Sequence, residues 1–289
     1  MITVLGATGN VGSKIAEKLL KSWAKVRVVG RSAAKLANFK SQGAEIFEGD
    51  IGSASFLTKA LNGSTSAFVM IPPDYAAQSF IQHYESMSKA IAEAIKSSGV
   101  KHIVNLSSFG AEHEKGTGPI KGLYLHEQRL NKLENTNILH LRPTYFMENL
   151  LMNIPFIKGQ GIMGGAIRGD LEFSMIATQD IAERAVDYLK NPTFKGKTVV
   201  ELLGAGDITY NKAAEVVSEV VGKKIPYVTF DSPSTKGALV GLGLSADTAD
   251  QFVEMSEAFN SGLISSKGKR TKENTTSTKL IDFAQVFKA

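Results

Sequence analysis

Short apolar segments alternate with amphipathic segments along most of this chain, which restricts the folds open to it. The apolar segments have the length of β-strands and lie at 2–5, 25–29, 44–47, 66–71, 101–106, 138–141 and 198–203. Between them, apolar residues recur at helical spacing in the segments 11–22, 33–41, 53–62, 76–98, 124–134 and 178–190. Strands that are apolar throughout, each followed by a helix, are typical of parallel sheets covered on both faces. The sequence therefore predicts an α/β fold, a doubly wound parallel sheet of the Rossmann type.

The pattern changes after residue 205. Two further helices are predicted there, one of them in "ITYNKAAEVVSEVVG", and a polar, turn-rich stretch precedes the C-terminal segment. We divide the chain accordingly into a sheet domain, residues 1–150 completed by 173–205, and a smaller part, residues 206–289 with 151–172. The smaller part is expected to be interleaved with the sheet domain and to cover a substrate.

The composition indicates where the protein is located and which classes of partner it binds. With 43% hydrophobic and 21% charged residues, the chain reads as a soluble globular protein. No apolar run approaches the roughly 18 residues of a membrane span, and no secretory signal precedes the first strand. Cysteine is absent. The net charge of +5 comes from scattered basic residues, without the interleaved aromatic residues of a nucleic-acid platform. We expect a cytoplasmic monomer or homodimer that binds neither nucleic acid nor membrane.

Three glycines, Gly6, Gly9 and Gly12, lie between the first strand and the first helix, in "VLGATGNVG". Without Cβ atoms the chain can turn sharply and let a pyrophosphate approach the N–H groups at the helix N-terminus. A tight turn without a ligand would also use glycines, but a triplet that opens a series of βαβ units favours a dinucleotide. The residues expected to contact it are Gly6, Thr8, Gly9, Asn10, Val11 and Gly12.

The glycine spacing, G-x-x-G-x-x-G, combined with the later segment "LRPTYFMENLL" (141–151), resembles the NmrA-like group of atypical short-chain dehydrogenases/reductases. Further similar segments are "GDI" (49–51), "VNLSSFGA" (104–111), "IATQDIAERA" (176–185) and "EAFNSGL". The resemblance runs across most of the chain and implies a nicotinamide dinucleotide as the cofactor.

The residues after the second strand indicate which nicotinamide cofactor binds. A carboxylate there would bind the ribose 2′-OH of NAD and repel a 2′-phosphate. This chain has Arg31, with Lys35 one turn later, and both can pair with a phosphate. A solvated surface position is the alternative for both residues. With no carboxylate at this position the sequence favours NADP(H), and the resemblance implies the same role for Arg31 and Lys35.

The other expected contacts follow the carboxyl ends of strands, where sheets of this type bind ligands. Asp50 and Ile51 follow the third strand, where the resemblance implies contact with the adenine; capping of a turn is the alternative for Asp50. The further contacts expected near the ribose, pyrophosphate or nicotinamide are Met70, Ile71, Pro72, Pro73, Ser107, Ser108, Pro143, Thr144, Tyr145 and Phe146. Core filling is the alternative for Tyr145, Phe146 and Met147.

Catalysis depends on a proton donor. Reductases of the wider superfamily use a Tyr followed four residues later by a Lys, which lowers the pKa of the phenol. None of the seven tyrosines here has Lys at that position. The resemblance implies that Tyr124 or His126 faces the nicotinamide instead, and His126 is the better acid–base group; a surface histidine is the alternative. Tyr145 is the third candidate. The five histidines show no metal-binding spacing, and no metal is expected.

Three functions are compatible with these residues. The first is an NADPH-dependent oxidoreductase that reduces a small electron-poor acceptor, such as a quinone, azo compound or enone, which needs little acid assistance. An apolar lining from Phe146, Met147, Met152, Phe156 and Met163 would suit it. The second is a non-catalytic NADP(H) sensor of the NmrA type with a regulatory protein partner, which the missing Tyr-Lys pair supports. The third is a nucleotide-sugar epimerase or dehydratase, which normally depends on that Tyr. We rank them in this order.

Overall fold

A computed structural model of the chain describes residues 1–265 and 269–288. Its strands are β1 (Ile2–Leu5), β2 (Val26–Gly30), β3 (Glu45–Glu48), β4 (Ser66–Val69), β5 (His102–Leu106), β6 (Asn137–Pro143), β7 (Tyr145–Phe146), β8 (Met163–Gly165), β9 (Phe173–Ile176), β10 (Lys197–Leu202), β11 (Asp207–Ile208) and β12 (Tyr227–Thr229). Its α-helices are α1 (Asn10–Lys21), α2 (Ala33–Ser41), α3 (Ala54–Leu61), α4 (Phe80–Ser98), α5 (Ile120–Asn131), α6 (Ile154–Gln160), α7 (Thr178–Lys190), α8 (Tyr210–Val221), α9 (Ser232–Gly241), α10 (Ala246–Asn260) and α11 (Leu280–Phe283). Short 3-10 helices span Met147–Asn153 and Ala284–Lys288. No helix in the described ranges has both the length and the hydropathy needed to cross a membrane.

Seven strands of the described residues form one sheet, in the order β10-β6-β5-β4-β1-β2-β3. Every neighbouring pair in this sheet is parallel. The chain starts in the middle at β1, proceeds outward through β2 and β3, and then returns to β4 on the other side, which is the doubly wound arrangement. Each strand coincides with a predicted apolar segment to within two residues. The predicted fold class is confirmed.

The two faces of this sheet pack against different helices. Val4 and Val28 belong to a core shared with α1, α2 and α7. Leu5 and Val29 belong to a second core shared with α3, α4 and α5. Because successive side chains of a strand point to opposite faces, strands covered on both faces, such as β1, are apolar at most positions. The strands of the large sheet were predicted from this property.

The remaining strands form two small sheets, β11-β9-β7 and β12-β8. They share a core with α8, α10 and α11, to which Tyr210, Phe259 and Leu280 contribute. β7 and β9 lie inside the ranges predicted for the sheet domain, yet β9 pairs with β7 and β11 and not with the large sheet. Four of these five strands have only two or three residues, which are too few to show a period in the sequence, and the sequence did not predict them.

Candidate functional site

The glycine turn presents backbone N–H groups at the edge where the strands end. α1 begins directly after Gly9, and no described side chain caps it. The N–H groups of its first turn lack intrahelical partners. Gly6 has a φ of +66°, and a Cβ on Gly12 would lie 2.3 Å from the Gly6 carbonyl oxygen. Among the described residues, a Cβ on Gly9 would meet the Gly6 oxygen alone, at 3.3 Å. Gly6 and Gly12 are therefore required by the fold, whereas the outer side of Gly9 is open, and this turn fits a phosphate group.

The other residues of the turn differ in what they can offer a ligand. Thr8 and Asn10 are exposed, whereas Val11 is buried in the core and has its backbone alone available. Lys14 Nζ donates hydrogen bonds to the carbonyl oxygen of Asn10 (3.0 Å) and to Thr178 Oγ1 (2.9 Å). These bonds hold the turn against the first residue of α7.

The predicted phosphate site at the start of α2 has an acidic neighbour that sequence reasoning missed. The side chains of Arg31 and Lys35 are exposed, and neither bonds another described residue. Glu48, which pairs with Gly30 in the parallel register of β2 and β3, accepts a hydrogen bond from the Ala33 N–H (2.8 Å). Arg31 and Lys35 are thus available to a phosphate, while Glu48 adds an opposing charge at the same helix N-terminus.

After β3, Asp50 caps a turn, which is the alternative to adenine contact that the sequence left open for this residue. Asp50 Oδ1 accepts a hydrogen bond from the Gly52 N–H (2.9 Å) and so caps its own turn. Ile51 is buried in the second core, so that its side chain is not available to an adenine. Adenine contacts here can come from the backbone and from the free oxygen of Asp50.

Two adjoining cavities lie at the carboxyl ends of β4, β5 and β6. The first, about 250 Å³, is the sheet-side cavity; its lining includes Met70, Ile71, Pro73, Ser107, Ser108, Thr144 and Phe146. The second, about 400 Å³, is the cap-side cavity; it is bounded by α8, α9 and α10, and its lining includes Asn10, Glu148, Met152, Phe156, Tyr210 and Tyr227. Tyr75, Tyr145, Asn149, Phe252 and Met255 line both and form the wall between them.

Most of the predicted contacts after β4, β5 and β6 thus meet at one place, beside the glycine turn. Met70 lies over that turn, since a Cβ on Gly6 would be 2.8 Å from its Sδ. Pro72 and Pro143 line neither cavity; the Pro72 carbonyl oxygen lies 2.9 Å from His83 Nε2. Of the expected apolar lining, Met147 and Met163 are buried in the core of the smaller part instead.

Tyr145 is the predicted proton donor that the structure brings to the cavities. Its hydroxyl accepts a hydrogen bond from the Tyr210 hydroxyl (2.8 Å), which leaves the Tyr145 proton for Asn149 or for a ligand. Burial raises the pKa of Tyr145 above its usual range, although hydrogen bonds to Tyr210 and Asn149 act in the opposite direction. The phenol therefore stays protonated and acts as a hydrogen-bond donor.

His126 lies outside both cavities, on the side of α5 that packs against α4. Its side chain is fully buried, and Nδ1 lies 2.8 Å from Ser88 Oγ. Burial lowers the pKa of His126 to about 3, so the ring is neutral near pH 7. The structure thus does not bring His126 to either cavity, and its role as a proton donor stays a prediction. Tyr124, on the same helix, is half-buried and lines neither cavity.

The burial of two histidines makes stability depend on pH. Burial also lowers the pKa of His140, to about 4, whereas both histidines titrate near 6.5 when unfolded. Below pH 6.5 the unfolded state binds more protons than the folded state, so the free energy of unfolding should fall as the pH falls toward 4. The expected slope is up to about 1.4 kcal/mol per pH unit for each histidine. Urea unfolding at pH 7 and pH 5 measures it, and His126→Gln should reduce the slope; an unchanged slope would contradict this account.

Ser107 lines the sheet-side cavity, but its hydroxyl proton is donated to Glu127. Glu127, on α5, is 1% exposed and forms a bidentate ion pair with Arg142 of β6, with Nε–Oε1 at 2.9 Å and Nη2–Oε2 at 2.6 Å. Arg142 also donates to Glu112 (3.1 Å). Since the proton of Ser107 is engaged, its oxygen presents lone pairs to the cavity, where a carboxamide N–H group could donate to it.

Sequence reasoning missed several residues of the site. Asn149 could have been found from the sequence, because it follows Tyr145 by four residues, which is the spacing of the Tyr-Lys pair in the wider superfamily. Tyr210, Tyr227 and Glu148 could not have been, since their place in the cavity depends on how the smaller part folds over the sheet.

Comparisons with known proteins agree with this architecture. Residues 1–280 match the model of the NmrA-like family. The NAD(P)H azoreductase of Xenophilus azovorans is 28% identical over 257 residues, which cover 88% of this chain and 86% of the relative. Quinone oxidoreductase 2 of Escherichia coli is 28% identical over 285 residues, which cover 97% of this chain and 93% of the relative. The structure of an NADPH-dependent quinone oxidoreductase from Escherichia coli complexed with NADPH has a TM-score of 0.83 at 24% identity, over 98% of each chain. With the glycine turn, the doubly wound sheet and a family match over nearly its whole length, this chain belongs to the NmrA-like family.

Proposed function

We propose that this protein is an NADPH-dependent reductase that transfers a hydride to a small electron-poor acceptor such as a quinone, an azo compound or an enone. The observation that carries the proposal is that two adjoining cavities lie beside the glycine turn: the ends of β4, β5 and β6 line the sheet-side cavity, where Met70 lies over Gly6, and Asn10 of the turn lines the cap-side cavity. The names of the relatives, an azoreductase and a quinone oxidoreductase, support the same class of acceptor. As the sequence suggests, we propose a cytoplasmic protein that is a monomer or homodimer, which sedimentation can test.

In this proposal one cavity binds the nicotinamide and the other binds the acceptor. When bound, the reduced nicotinamide supplies the hydride. The glycine turn binds the pyrophosphate, and Ser107 and Ser108 with Phe146 hold the nicotinamide in the sheet-side cavity. The aromatic cap-side cavity receives the acceptor and excludes water from it. Tyr145, in the wall between them, donates a hydrogen bond to the oxyanion that hydride uptake leaves on a quinone.

Replacing Arg31 by Ala is expected to weaken NADPH binding about tenfold or more, while NADH binding changes little, because NADPH alone carries the 2′-phosphate. Titration calorimetry with each cofactor measures the two losses. Glu48→Gln is the opposite control: it removes the opposing charge and should strengthen NADPH binding. Equal losses of both cofactors in Arg31→Ala would refute the 2′-phosphate site.

Replacing Tyr145 by Phe is expected to lower kcat for a quinone about a hundredfold, since one hydrogen bond to the developing oxyanion is lost. Cofactor affinity should change little, because the phosphate contacts remain. Tyr124→Phe is the matched control, as Tyr124 lies outside both cavities, and its turnover should stay within about twofold of the parent. Similar losses in both variants would mean that Tyr145 has no particular role.

The experiment that tests the proposal is steady-state NADPH oxidation with a panel of quinones, with NADPH binding measured in parallel. Turnover with at least one quinone supports the reductase. The second candidate, a non-catalytic NADP(H) sensor, is favoured by the pairing of the Tyr145 phenol with Tyr210 and Asn149 and not with a Lys. A sensor would bind NADPH, oxidise it with no acceptor, and differ in protease sensitivity between NADP+ and NADPH.

A further inference from the structure

Ser107 and Tyr84 bring two unlike hydrogen-bonding groups to the sheet-side cavity. Both line it, and both are buried, at 4% and 7% exposure. Ser107 follows β5, and its hydroxyl bonds Glu127 of α5. Tyr84 lies on α4, and its ring lies against Gly122 of the same α5. The cavity holds about 250 Å³, less than a pocket for a drug-sized ligand, so that one small planar group inside it can meet both residues.

Ser107 is able to accept a hydrogen bond from a ligand but not to donate one. Its hydroxyl donates to Glu127 Oε1. Glu127 is 1% exposed and is held by Arg142 through bonds of 2.9 and 2.6 Å. A carboxylate in such an ion pair is an acceptor alone, so the serine must be the donor between them. Glu127 thus fixes the polarity of Ser107 and leaves its oxygen lone pairs for an N–H group.

Tyr84 has the opposite polarity. Its hydroxyl has no hydrogen-bond partner among the described residues, although an unpaired buried hydroxyl costs stability. Burial raises the pKa of Tyr84 above its usual range, and the Tyr75 phenol acts in the same direction. The phenol therefore keeps its proton and can donate it in a hydrogen bond to a ligand.

The Tyr84 ring is fixed by its neighbours. It stacks on Phe80, with 4.7 Å between the ring centroids. On the other side, a Cβ on Gly122 would lie 2.7 Å from Tyr84 Cδ1, so a larger residue in α5 would displace the ring. A donor held in this way is oriented before a ligand arrives, which lowers the entropic cost of binding.

We propose that Ser107 and Tyr84 together recognise the carboxamide of the nicotinamide ring, with Glu127 as a positioning residue that acts through Ser107. The inference rests on the proposed function, since it needs a nicotinamide in the sheet-side cavity. A primary carboxamide has N–H donors and a carbonyl oxygen: Ser107 accepts from an N–H group, and Tyr84 donates to the oxygen. A ring turned over about its glycosidic bond would carry the carboxamide away from both, which leaves one ring face toward the cap-side cavity.

Two cofactor analogues separate the two contacts, because they share the phosphate groups of NADP+. The 3-acetylpyridine analogue of NADP+ keeps the carbonyl oxygen and lacks the N–H groups. The thionicotinamide analogue keeps the N–H groups and replaces the oxygen by sulfur, a weaker acceptor. Titration calorimetry without an acceptor measures the dissociation constant of each cofactor. The parent should bind NADP+ about fivefold tighter or more than either analogue.

Ser107→Ala and Tyr84→Phe should change opposite preferences. Ser107→Ala should remove the preference for NADP+ over the acetylpyridine analogue and keep the preference over the thionicotinamide analogue. Tyr84→Phe should do the reverse. The control is Tyr124→Phe, which removes a phenol outside both cavities and should leave both preferences as they are.

Glu127→Ala should lower the preference over the acetylpyridine analogue severalfold, although Ser107 is still present, because the freed hydroxyl can then donate to the acetyl oxygen. Glu127→Gln keeps an oxygen for Ser107 and should restore most of the preference. A loss of stability alone would weaken all three cofactors by the same factor. If Glu127→Ala does not fold, Glu127→Met combined with Arg142→Met takes its place, since apolar residues of similar volume often replace a buried ion pair without loss.

The outcomes separate the two proposals. Equal binding of the three cofactors by the parent would overturn the inference, as would losses in Ser107→Ala and Tyr84→Phe that are the same for every cofactor; both leave the reductase standing. An unchanged preference when Glu127 is replaced by an apolar residue would overturn its positioning role. Failure to reduce any quinone would overturn the proposed function, while the binding ratios would still decide the inference.

Discussion

Replacing Gly9 by Val is expected to abolish the binding of both NADPH and NADH while the protein still folds. The outer side of Gly9 is open in the structure, and among the described residues a Cβ there would touch the Gly6 carbonyl oxygen alone, at 3.3 Å. The branched side chain would therefore project into the space where a pyrophosphate approaches the first turn of α1. Titration with both cofactors, with circular dichroism as the measure of folding, tests this. If Gly9→Val binds NADPH as tightly as the parent, the glycine turn has a structural role alone.

Gly12→Ala is the matched comparison. It also replaces a glycine of the turn, but we expect it to destabilise the fold. Its Cβ would lie 2.3 Å from the Gly6 oxygen and 2.7 Å from the Gly6 carbonyl carbon, both of them backbone atoms that a rotamer change cannot move. This variant should lose stability first and binding as a consequence, whereas Gly9→Val should lose binding alone.

Replacing Glu127 by Ala is expected to lower the free energy of unfolding by about 3–5 kcal/mol, the range for breaking a buried ion pair. The change removes the bidentate partner of Arg142, whose side chain is 12% exposed, and also the acceptor of the Ser107 hydroxyl. Urea unfolding measures the loss. The matched control is Glu183→Ala, which breaks the exposed ion pair with Lys18 (3.4 Å) and should cost less than about 1 kcal/mol.

Glu127→Gln separates the charge from the hydrogen bond. It keeps one oxygen for Ser107 and loses the charge opposite Arg142, so its stability should lie between the parent and Glu127→Ala. Equal effects of Glu127→Ala and Glu183→Ala would show that burial adds nothing to this ion pair.

The large sheet and its glycine turn could be predicted because their signals are local and repeated. Strands covered on both faces are apolar at most positions, so the strands of the large sheet could be predicted from a few consecutive residues, as in β1 and β5. Gly6 and Gly12 were recognisable because a positive φ and a 2.3 Å approach leave no alternative to glycine. Arg31 and Lys35 could be assigned a place because they follow a predicted strand directly.

The proton donors could not be predicted in the same way. His126 and Glu127 are neighbours on α5, yet one packs on α4 and the other pairs with Arg142 beneath the sheet-side cavity. A shift of one residue rotates a side chain by about 100° on a helix, so the resemblance, which left Tyr124 and His126 as alternatives, could not decide which side of α5 faces the cavities. Glu48 was missed for a related reason: it approaches α2 through the pairing of β3 with β2, although 15 residues separate it from Ala33.

The sequence by itself determined the fold class, the position of the dinucleotide turn and the family, because each follows from patterns within short segments. The tertiary structure decided which polar groups meet in the cavities: Tyr145 with Tyr210, 65 residues apart, and Glu148 with Thr178, 30 residues apart. Contacts of that kind depend on how β7, β9 and α8 pack over the ends of the large sheet. Their residues carry no local pattern, since burial of a tyrosine or a glutamate is stable only when distant partners satisfy its polar atoms.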